Sequence, residues 1–542
     1  MNTMSIRSVL VAAALLMLCS AGGCAERQTT RGDALNLATA DLGPTIGSLA
    51  TVLGSKPIAV EGYGVVGGLK GTGSAECPPA IRTYLAREIL RQLPSRGALD
   101  VEQFINSSDT AVVHVEGVIP EAPFKNEYFD VKVTALPSTQ TTSLEGGGLF
   151  PTELKLPGNF GVQTRILADA EGPFFIDKIS DTRADTRTGY ILAGGKVLDE
   201  HRIIVLLDQG DFRLTNTVRN LINGRFGDTT ARAVQPGRIE VLVPAQYRQR
   251  RQRFIAMVKA MFLTQEAGTT AERITTLVRI LAGSEYNYDS EVALEAIGNQ
   301  SVGGLRTLLD SPDEPVRLSA ARCMLNLGSD AGLAVLRQIA MDKGSPHRLE
   351  ALESVGAAAR RNDAAALARR LLQDGDFRIR LAAYEHLRRL DDVTISQDFI
   401  ARNFYLERIA RTDHKAIFVS RSGQPRIVLF GAPIDCRDNI FIQSPEGDIT
   451  VNASTGQNYV TLLRKHPKRP GVVAQARSSF KLDDLIKALC EEPPKEGDSA
   501  GGGLGVSYAD VIVLLKQMSD KGAVDAEFRA GPPPKIDLNI KK

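Results

Sequence analysis

Two stretches of alternating hydrophobic and polar residues predict neighbouring β-strands in the first third of the chain. Thr110–Val118 and Tyr128–Leu136 place an apolar side chain at nearly every second position, as half-buried strands do. Pro79–Leu93 differs, because its apolar residues recur every four positions and form one stripe on a helix. The stripe consists of Ile81, Leu85, Ile89 and Leu93. These patterns predict a region that mixes strands and helices.

A second pattern follows, in which strands and helices alternate. Arg202–Leu207 and Arg238–Val243 are short hydrophobic runs that are typical of buried strands. Arg213–Phe226 and Ala245–Phe262 have apolar residues at helical spacing. Their order along the chain predicts a small βαβα unit.

A repeat of about 31 residues occupies the middle of the chain. The segments VRLSAARCMLNLG from Val316, HRLEALESVGAAA from His347 and IRLAAYEHLRRLD from Ile379 share an Arg-Leu-x-Ala core, and Ser290–Leu309 is a divergent earlier copy. The repeat resembles short HEAT repeats and predicts an all-α solenoid over residues 264–411. Such a block either presents a surface to a partner or acts as a spacer, and the sequence leaves both open.

Strand patterns return near residue 412, followed by two helices. The predicted strands are Ala416–Ser420, Ile427–Gly431, Asn439–Gln443 and Gly447–Asn452. Ser479–Leu489 is predicted as a helix, and a second helix begins at a capping box formed by Ser507 and Asp510. The basic stretch Leu463–Gly471 contains a proline, so it is predicted as a loop that either contacts an acidic surface or is basic for solubility.

Six glycines crowd the segment EGYGVVGGLKGTGS, which begins at Glu61. They are Gly62, Gly64, Gly67, Gly68, Gly71 and Gly73. Three of them match the G-x-G-x-x-G dinucleotide pattern, but that pattern binds a ligand only where a helix begins within the glycines. No helix can start here before Pro78, and no triphosphate-binding motif is present. A bent strand packed tightly against a neighbour is therefore the favoured interpretation.

The N-terminus has the pattern of an export signal. Arg7 precedes an apolar core, Val9–Leu18, that is too short to span a bilayer. Small residues follow, which predicts either a lipoprotein signal cleaved before Cys24 or ordinary cleavage near Ala25. Residues 1–24 are thus a predicted signal peptide, and the polar residues 25–45 a predicted tether.

Composition and motifs argue against several classes of function. The formal net charge is +2, which implies no field strong enough for nucleic-acid binding. No catalytic or zinc-binding motif occurs, and the six histidines are scattered, so neither an enzyme nor a cofactor or metal is predicted. One cluster of arginines, Arg248 to Arg253, is interpreted either as a site for an acidic partner or as a solvated helix face.

Several segments resemble the flagellar P-ring protein family. The first is IGSLATVLGSKPIAVEGYGVVGGLKGTGS, which begins at Ile46 and includes Gly62, Tyr63 and Gly64. The second is SLEGGGLFPTELK from Ser143, and the third is KGAVDAEF, which ends at Phe528. Between the second and third segments, Asp211-Phe212 and the strand ending at Pro244 also fit the family order.

The resemblance implies a multi-domain, β-rich α+β fold of a ring subunit, interrupted here by the helical repeats. The implied divisions are family-like regions at 46–262 and 412–530 with a tail at 531–542. It further implies a homo-oligomeric ring in the periplasm around the flagellar rod, with peptidoglycan and the outer-membrane ring protein as further candidate partners. The rival hypothesis is a lipid-anchored envelope scaffold without a flagellar role.

The cysteine pairing is left open by the sequence. Cys77, Cys323, Cys436 and Cys490 are too few for a disulfide-built scaffold. Some family members have cysteines near the positions of Cys436 and Ala523. Because residue 523 is alanine here, that pairing does not carry over, and a Cys436–Cys490 pair stays an open alternative.

Overall fold

A computed structural model describes residues 42–92, 100–137, 139–158, 164–180, 185–283, 287–410, 412–466, 469–493 and 502–536. The strands are β1 Ala50–Leu53, β2 Ile58–Gly67, β3 Thr110–Ile119, β4 Tyr128–Ala135, β5 Gly148–Leu154, β6 Ala168–Pro173, β7 Thr188–Val197, β8 Ile203–Leu207, β9 Ala231–Gln235, β10 Arg238–Val241, β11 Ile395–Ile400, β12 Phe404–Ile409, β13 Ala416–Val419, β14 Arg426–Phe430, β15 Ile440–Gln443, β16 Ile449–Ala453, β17 Val460–His466, β18 Arg469–Ser478 and β19 Glu527–Ala530.

The helices alternate with these strands at both ends of the chain and follow one another in the middle. They are α1 Ile46–Leu49, α2 Pro79–Gln92, α3 Val101–Ile105, α4 Phe212–Phe226, α5 Arg251–Ala260, α6 Ala267–Leu281, α7 Tyr288–Ile297, α8 Val302–Arg306, α9 Glu314–Asn326, α10 Asp330–Met341, α11 Arg348–Ala358, α12 Arg361–Leu371, α13 Phe377–Arg389, α14 Leu482–Cys490 and α15 Tyr508–Asp520. The fold is thus α+β.

A closed barrel of six strands forms the largest β-structure near the N-terminus. Its order is β2-β3-β4-β7-β6-β5, and β5 closes it by pairing with β2. The predicted strands Thr110–Val118 and Tyr128–Leu136 correspond to β3 and β4. Their alternation arises because one side chain in two points into the barrel, where fully buried Val113, Val115 and Val131 pack together.

The predicted βαβα unit is wrong in one respect, because a strand was missed. β9 lies between helix α4 and strand β10, and the four strands form an antiparallel sheet in the order β1-β8-β10-β9. β9 is an edge strand whose Arg232, Val234 and Gln235 are exposed, so it lacks the hydrophobic run that marks a buried strand. The last predicted helix is also divided, since Ala245–Arg250 is a 3-10 helix that leads into α5.

The three aligned repeats correspond to every second helix of the middle block, α9, α11 and α13. The shared arginine donates to backbone carbonyl oxygens that precede its helix in each copy. Arg317 donates to the carbonyl oxygens of Ser311 and Pro312, and Arg380 donates to those of Asp374 and Gly375. Arg348 donates to the carbonyl oxygen of Ala340 at 3.1 Å. Arg317 and Arg380 therefore hold the connection that precedes their helix, whereas Arg348 holds the last turn of the preceding helix α10.

The prediction of an all-α block over 264–411 is wrong at its C-terminal end. The helices end at Arg389, and β11 and β12 form a hairpin that joins the next sheet. β12 contains Glu407, a charged residue that is nevertheless fully buried. Its carboxylate is stabilised there because the Tyr384 hydroxyl donates to it at 2.5 Å and Arg388 pairs with it at 2.8 Å. Because a charged residue occupies a core position, β12 lacks the apolar pattern from which a buried strand is predicted.

Two sheets and two helices make up the C-terminal region. One sheet has the order β11-β12-β14-β13-β19 and the other β15-β16-β17-β18. The prediction of a loop for the basic stretch is wrong, because this stretch is part of the hairpin β17–β18. Pro470 belongs to β18, which is an edge strand of its sheet. Proline is tolerated in an edge strand because one side of that strand has no neighbour to hydrogen-bond.

Shared hydrophobic clusters join the three parts of the chain. One cluster combines Phe175 and Leu192 of the barrel region with the C-terminal strands and with helices α14 and α15. Another combines the repeat helices with Phe418 and Phe430 of the C-terminal sheet. The described residues from Leu42 onward accordingly form one compact unit.

The four cysteines of the described residues are all free thiols. Cys323, Cys436 and Cys490 are buried, and burial raises the pKa of the Cys436 thiol to about 12. The alternative of a Cys436–Cys490 disulfide is therefore wrong, since both cysteines are free thiols.

Candidate functional site

The glycines of β2 let another backbone approach closely. A Cβ at Gly62 would lie closer than 3.0 Å to the carbonyl oxygen of Glu153, and one at Gly64 equally close to Thr152. At Gly67 it would lie 2.6 Å from the Phe150 ring. All three neighbours belong to the β5 segment, which closes the barrel against β2. The absent side chains thus make room for the barrel seam.

The later glycines shape the turn after β2. Gly68 and Gly71 have φ angles of 81° and 95°, a region that glycine enters without a steric penalty. A Cβ at Gly73 would collide with the Thr110 carbonyl. Between them, the Thr72 hydroxyl donates to the carbonyl oxygen of Ser143 at 2.8 Å. The glycine segment and the second family-like segment are therefore directly bonded to each other.

Tyr63 lies between Gly62 and Gly64 in β2. Its ring is 5.0 Å from that of His114 on the neighbouring strand, and His114 is 3.5 Å from Glu61. The strand runs on into a turn and no helix begins among these glycines, since α2 starts at Pro79. The geometry required for a dinucleotide pyrophosphate is thus not formed by this segment.

Replacing Gly64 by valine should lower the free energy of unfolding by about 1–3 kcal/mol, because the added carbons overpack the seam against Thr152. Valine is otherwise favoured in strands. A loss of stability would therefore show that Thr152 approaches the backbone of Gly64 too closely for a side chain. Gly148 in β5 is the matched control, since a Cβ there would meet only a carbonyl oxygen at 3.7 Å. Urea unfolding measures both; equal stability of Gly64→Val and wild type would contradict a tight seam.

Lys178 ties the barrel region to the C-terminal region. Its ammonium group donates to Glu145, to Glu446 at 3.0 Å and to Asp510 at 3.0 Å. Burial disfavours the charged amine, but the charges and hydrogen bonds of Asp510 and Glu145 outweigh it and raise the pKa of Lys178. One lysine therefore neutralises carboxylates from three separate segments.

Two further contacts cross the same junction. The Arg421 guanidinium pairs with Asp177 at 3.0 Å. Asp130 on β4 accepts from the backbone N–H groups of Ala193 at 2.7 Å and Gly423 at 2.9 Å. Burial nevertheless raises the pKa of Asp130. The hairpin turn after β13 is held against the barrel by these bonds.

Replacing Lys178 by methionine should cost about 2 kcal/mol of unfolding free energy, because three carboxylates lose their shared partner in a partly buried site. Lys132→Met is the control, since Lys132 has only a surface contact of 3.8 Å to Glu116 and such pairs contribute at most about 1 kcal/mol. Denaturant unfolding compares the two variants. If both cost the same, Lys178 does not hold the junction.

Among the arginines between 248 and 253, Arg248 is exposed, as a solvated face predicts, whereas Arg250, Arg251 and Arg253 pair with residues of the chain itself. Arg251 pairs with Glu127 at 2.6 Å. Arg253 pairs with Glu291 and Glu295 at 2.5 Å each, and both of these glutamates are fully buried. The acidic partner that such a cluster suggests is thus helix α7 of the middle block.

This buried ionic cluster continues into the repeats. Arg322 of α9 pairs with Glu291 at 2.6 Å and also with Glu350 of α11. Burial alone would raise the pKa of Glu291, but Arg253 and Arg322 outweigh it and hold that pKa below its usual value. A continuous chain of charges therefore connects α5 with three helices of the block.

Among the described residues, no group of three or more His, Cys, Asp and Glu side chains could hold a metal ion. No helix in that part of the chain has the length and apolar character needed to cross a bilayer. Cys24 and the predicted signal peptide lie outside the described residues.

Comparison with known proteins matches the part of the chain that forms the barrel, the antiparallel sheet and the start of the helical block. Residues 45–274 fit the family model described as flagellar P-ring protein. This part of the chain is therefore similar to flagellar P-ring proteins.

Individual relatives carry the same description. The flagellar P-ring protein of Sodalis glossinidius is 29% identical over 214 residues, covering 37% of this chain and 56% of the relative. That of Hydrogenovibrio crunogenus is 30% identical over 219 residues, covering 37% and 56%. Flagellar P-ring protein 1 of Hahella chejuensis is 26% identical over 336 residues, covering 54% and 84%. The chain spans 56% to 60% of the length of the first relatives it matches.

The sequence pointed to the glycine segment and to the repeats, but it missed the residues that join the regions. Lys178, Arg421 and Asp130 stand in no motif, because their partners are hundreds of positions away in the chain. Only the arginine cluster at 248–253 gave a signal, as an excess of charge without adjacent counter-charges.

Proposed function

We propose that the chain is a structural subunit of the periplasmic P ring of the flagellar basal body. In this role it assembles with copies of itself around the rod and acts as a bushing in the peptidoglycan layer. The observation that carries the proposal is the match of residues 45–274 to the P-ring family, since that range includes the glycine seam and Lys178. The proposed role is mechanical and needs no reaction.

A deletion strain tests this role directly. Loss of swimming, with basal bodies that lack the periplasmic ring, is the expected result, and restoration by the wild-type gene is the control. Normal swimming and intact rings in the deletion strain would contradict the proposal and favour an envelope scaffold without a flagellar role.

We also propose export through the N-terminal signal, with lipid attachment at Cys24. The support is the apolar core Val9–Leu18 followed by small residues. A Cys24→Ser variant should leave the membrane fraction, because the acyl chains that hold it there would be absent. Unchanged fractionation would count against the anchor.

The repeat helices are proposed to form a HEAT-like block that presents its outer surface to a protein partner. The support is the shared arginine in each copy and the packing of successive helices. Because the block shares a core with Phe418 and Phe430, deleting it would disturb the fold. Cross-linkers placed at exposed Arg360 and Arg370 in cells test the idea instead; capture of no other protein would reduce the block to a spacer.

A further inference from the structure

Helix α6 carries a buried arginine that contacts carbonyl oxygens and an aromatic ring. Arg273 is only 4% exposed. Its Nε donates to the carbonyl oxygen of Leu42 at 2.6 Å, and its Nη1 donates to that of Thr264 at 2.5 Å. The guanidinium carbon also lies 4.3 Å from the centre of the Phe262 ring. Arg273 therefore holds the first described residues against the connection that leads into the helical block.

These contacts leave the positive charge of Arg273 without a counter-charge in the part of the chain that the structure describes. Carbonyl oxygens are neutral acceptors, and a buried charge is normally paired with an opposite one. Arg253 has such pairs, with Glu291 and Glu295. At Arg273 burial acts alone and lowers the pKa of the guanidinium from its usual value. An anion beside Arg273 would supply the missing counter-charge.

A small cavity opens beside this guanidinium. It has a volume of about 80 Å³, and Arg273 lines it together with Thr264, Gln265, Thr270 and Gln300. Among the described residues that line it, none is acidic. A single water needs roughly 10–15 Å³ of such space, so the cavity has room for one small polyatomic ion. Thr264, Gln265 and Gln300 are exposed, so the rim of the cavity is in contact with solvent.

The polar groups around the cavity are suited to an oxyanion. The guanidinium has further N–H donors on Nη1 and Nη2, and no hydrogen bond joins Nη2 to the described residues. Gly43 leaves Nη2 uncovered, since a Cβ there would lie 2.8 Å from it. Thr270 adds a hydroxyl from one turn earlier on the same face of α6, and the two glutamines add amide N–H groups. A guanidinium fork with neutral donors beside it is the arrangement that binds phosphate or carboxylate oxygens.

We propose that this cavity binds one small free oxyanion, of the size and charge of inorganic phosphate, through the guanidinium of Arg273. A free ion is favoured over a group on a larger molecule, because the cavity holds little more than the ion itself. The bound ion balances the charge of Arg273 and connects helix α6 with the end of helix α7, where Ile297 lines the same cavity. The inference goes beyond the proposed ring function, because it assigns a ligand to the subunit itself.

Calorimetric titration of inorganic phosphate into the purified full chain tests the site, with chloride as the background anion at constant ionic strength. Saturable binding of one phosphate per chain is expected, and no saturable binding would overturn the inference. Thr270→Val preserves the volume of the side chain and should weaken binding about fivefold, because one hydrogen bond to the ion is lost. Thr275→Val is the matched control and should bind as wild type, since the exposed Thr275 hydroxyl donates to the carbonyl oxygen of Ala271 at 3.0 Å instead.

A second variant changes the guanidinium itself. Arg273→Lys keeps the positive charge but loses the planar fork, so phosphate should bind at least about tenfold more weakly. Wild-type affinity in both Arg273→Lys and Thr270→Val would overturn the inference.

Two competing occupants are distinguished by further titrations. Asp41 lies outside the described residues and directly precedes Leu42 in the chain, so its carboxylate is a competing source of the counter-charge. Asp41→Asn is expected to bind phosphate as wild type does; binding by Asp41→Asn alone would assign the counter-charge to the chain itself and overturn the free ion. Glycerophosphoglycerol, the headgroup of an anionic lipid, should bind more weakly than phosphate because it is larger than the cavity. Tighter binding of that headgroup would also overturn the free ion.

Discussion

Replacing Glu291 by alanine is expected to lower the free energy of unfolding by about 3–5 kcal/mol. Glu291 is fully buried between Arg253 and Arg322, which are each 11% exposed. Removing the carboxylate leaves two guanidinium groups near each other with less compensating charge, and water cannot reach them to replace it. The cost in unfolding free energy is large because the change removes the carboxylate and leaves both buried guanidinium groups in place.

Asp330→Asn is the matched control for this change. Asp330 and its partner Arg360 are 64% and 78% exposed and 3.4 Å apart, and such surface pairs contribute at most about 1 kcal/mol. Urea unfolding of the purified chain compares the variants. A Glu291→Ala protein as stable as Asp330→Asn would show that the cluster does not bind the repeats to helix α5.

Stability should also fall as the pH is lowered from about 6.5 to about 4, because of His386. This residue is 4% exposed in helix α13, and burial together with the charge of Arg389 lowers its pKa to about 4. Between the two pH values the unfolded chain binds a proton at this position that the folded chain does not. The full contribution is thus present above pH 6.5, and about 3 kcal/mol is lost by pH 4.

A His386→Gln variant isolates this contribution from those of other groups. The neutral amide does not titrate, so the difference in unfolding free energy between wild type and variant should shrink or reverse as the pH falls from 7 to 4. Denaturant curves at four or five pH values measure it. Parallel pH profiles for the two proteins would show that His386 is not held neutral in the folded state.

Local patterns predicted the elements well wherever one face of an element is apolar. Helix α2, strands β3 and β4 and the repeat helices follow directly from spacing. The failures occur where tertiary contacts outweigh the local pattern. β9 exposes its side chains at a sheet edge, and β12 carries a buried glutamate in place of an apolar residue. In both cases tertiary partners decided the structure, and a periodic pattern does not report such partners.

The candidate site was predictable only in part. The glycines indicated close packing, since glycine is otherwise costly in strands, but not the residue that approaches each one. Lys178 and its three carboxylates meet across separations of up to 332 positions. No local pattern carries that information.

Electron cryomicroscopy of isolated basal bodies tests the central claim most directly. The claim is that both ends of this chain build one ring subunit, with the repeat helices fused to it. The expected map shows a periplasmic ring around the rod in which each subunit places Lys178 against Glu446 and Asp510. A ring built without this chain, or subunits whose barrel and C-terminal sheets lie apart, would contradict it.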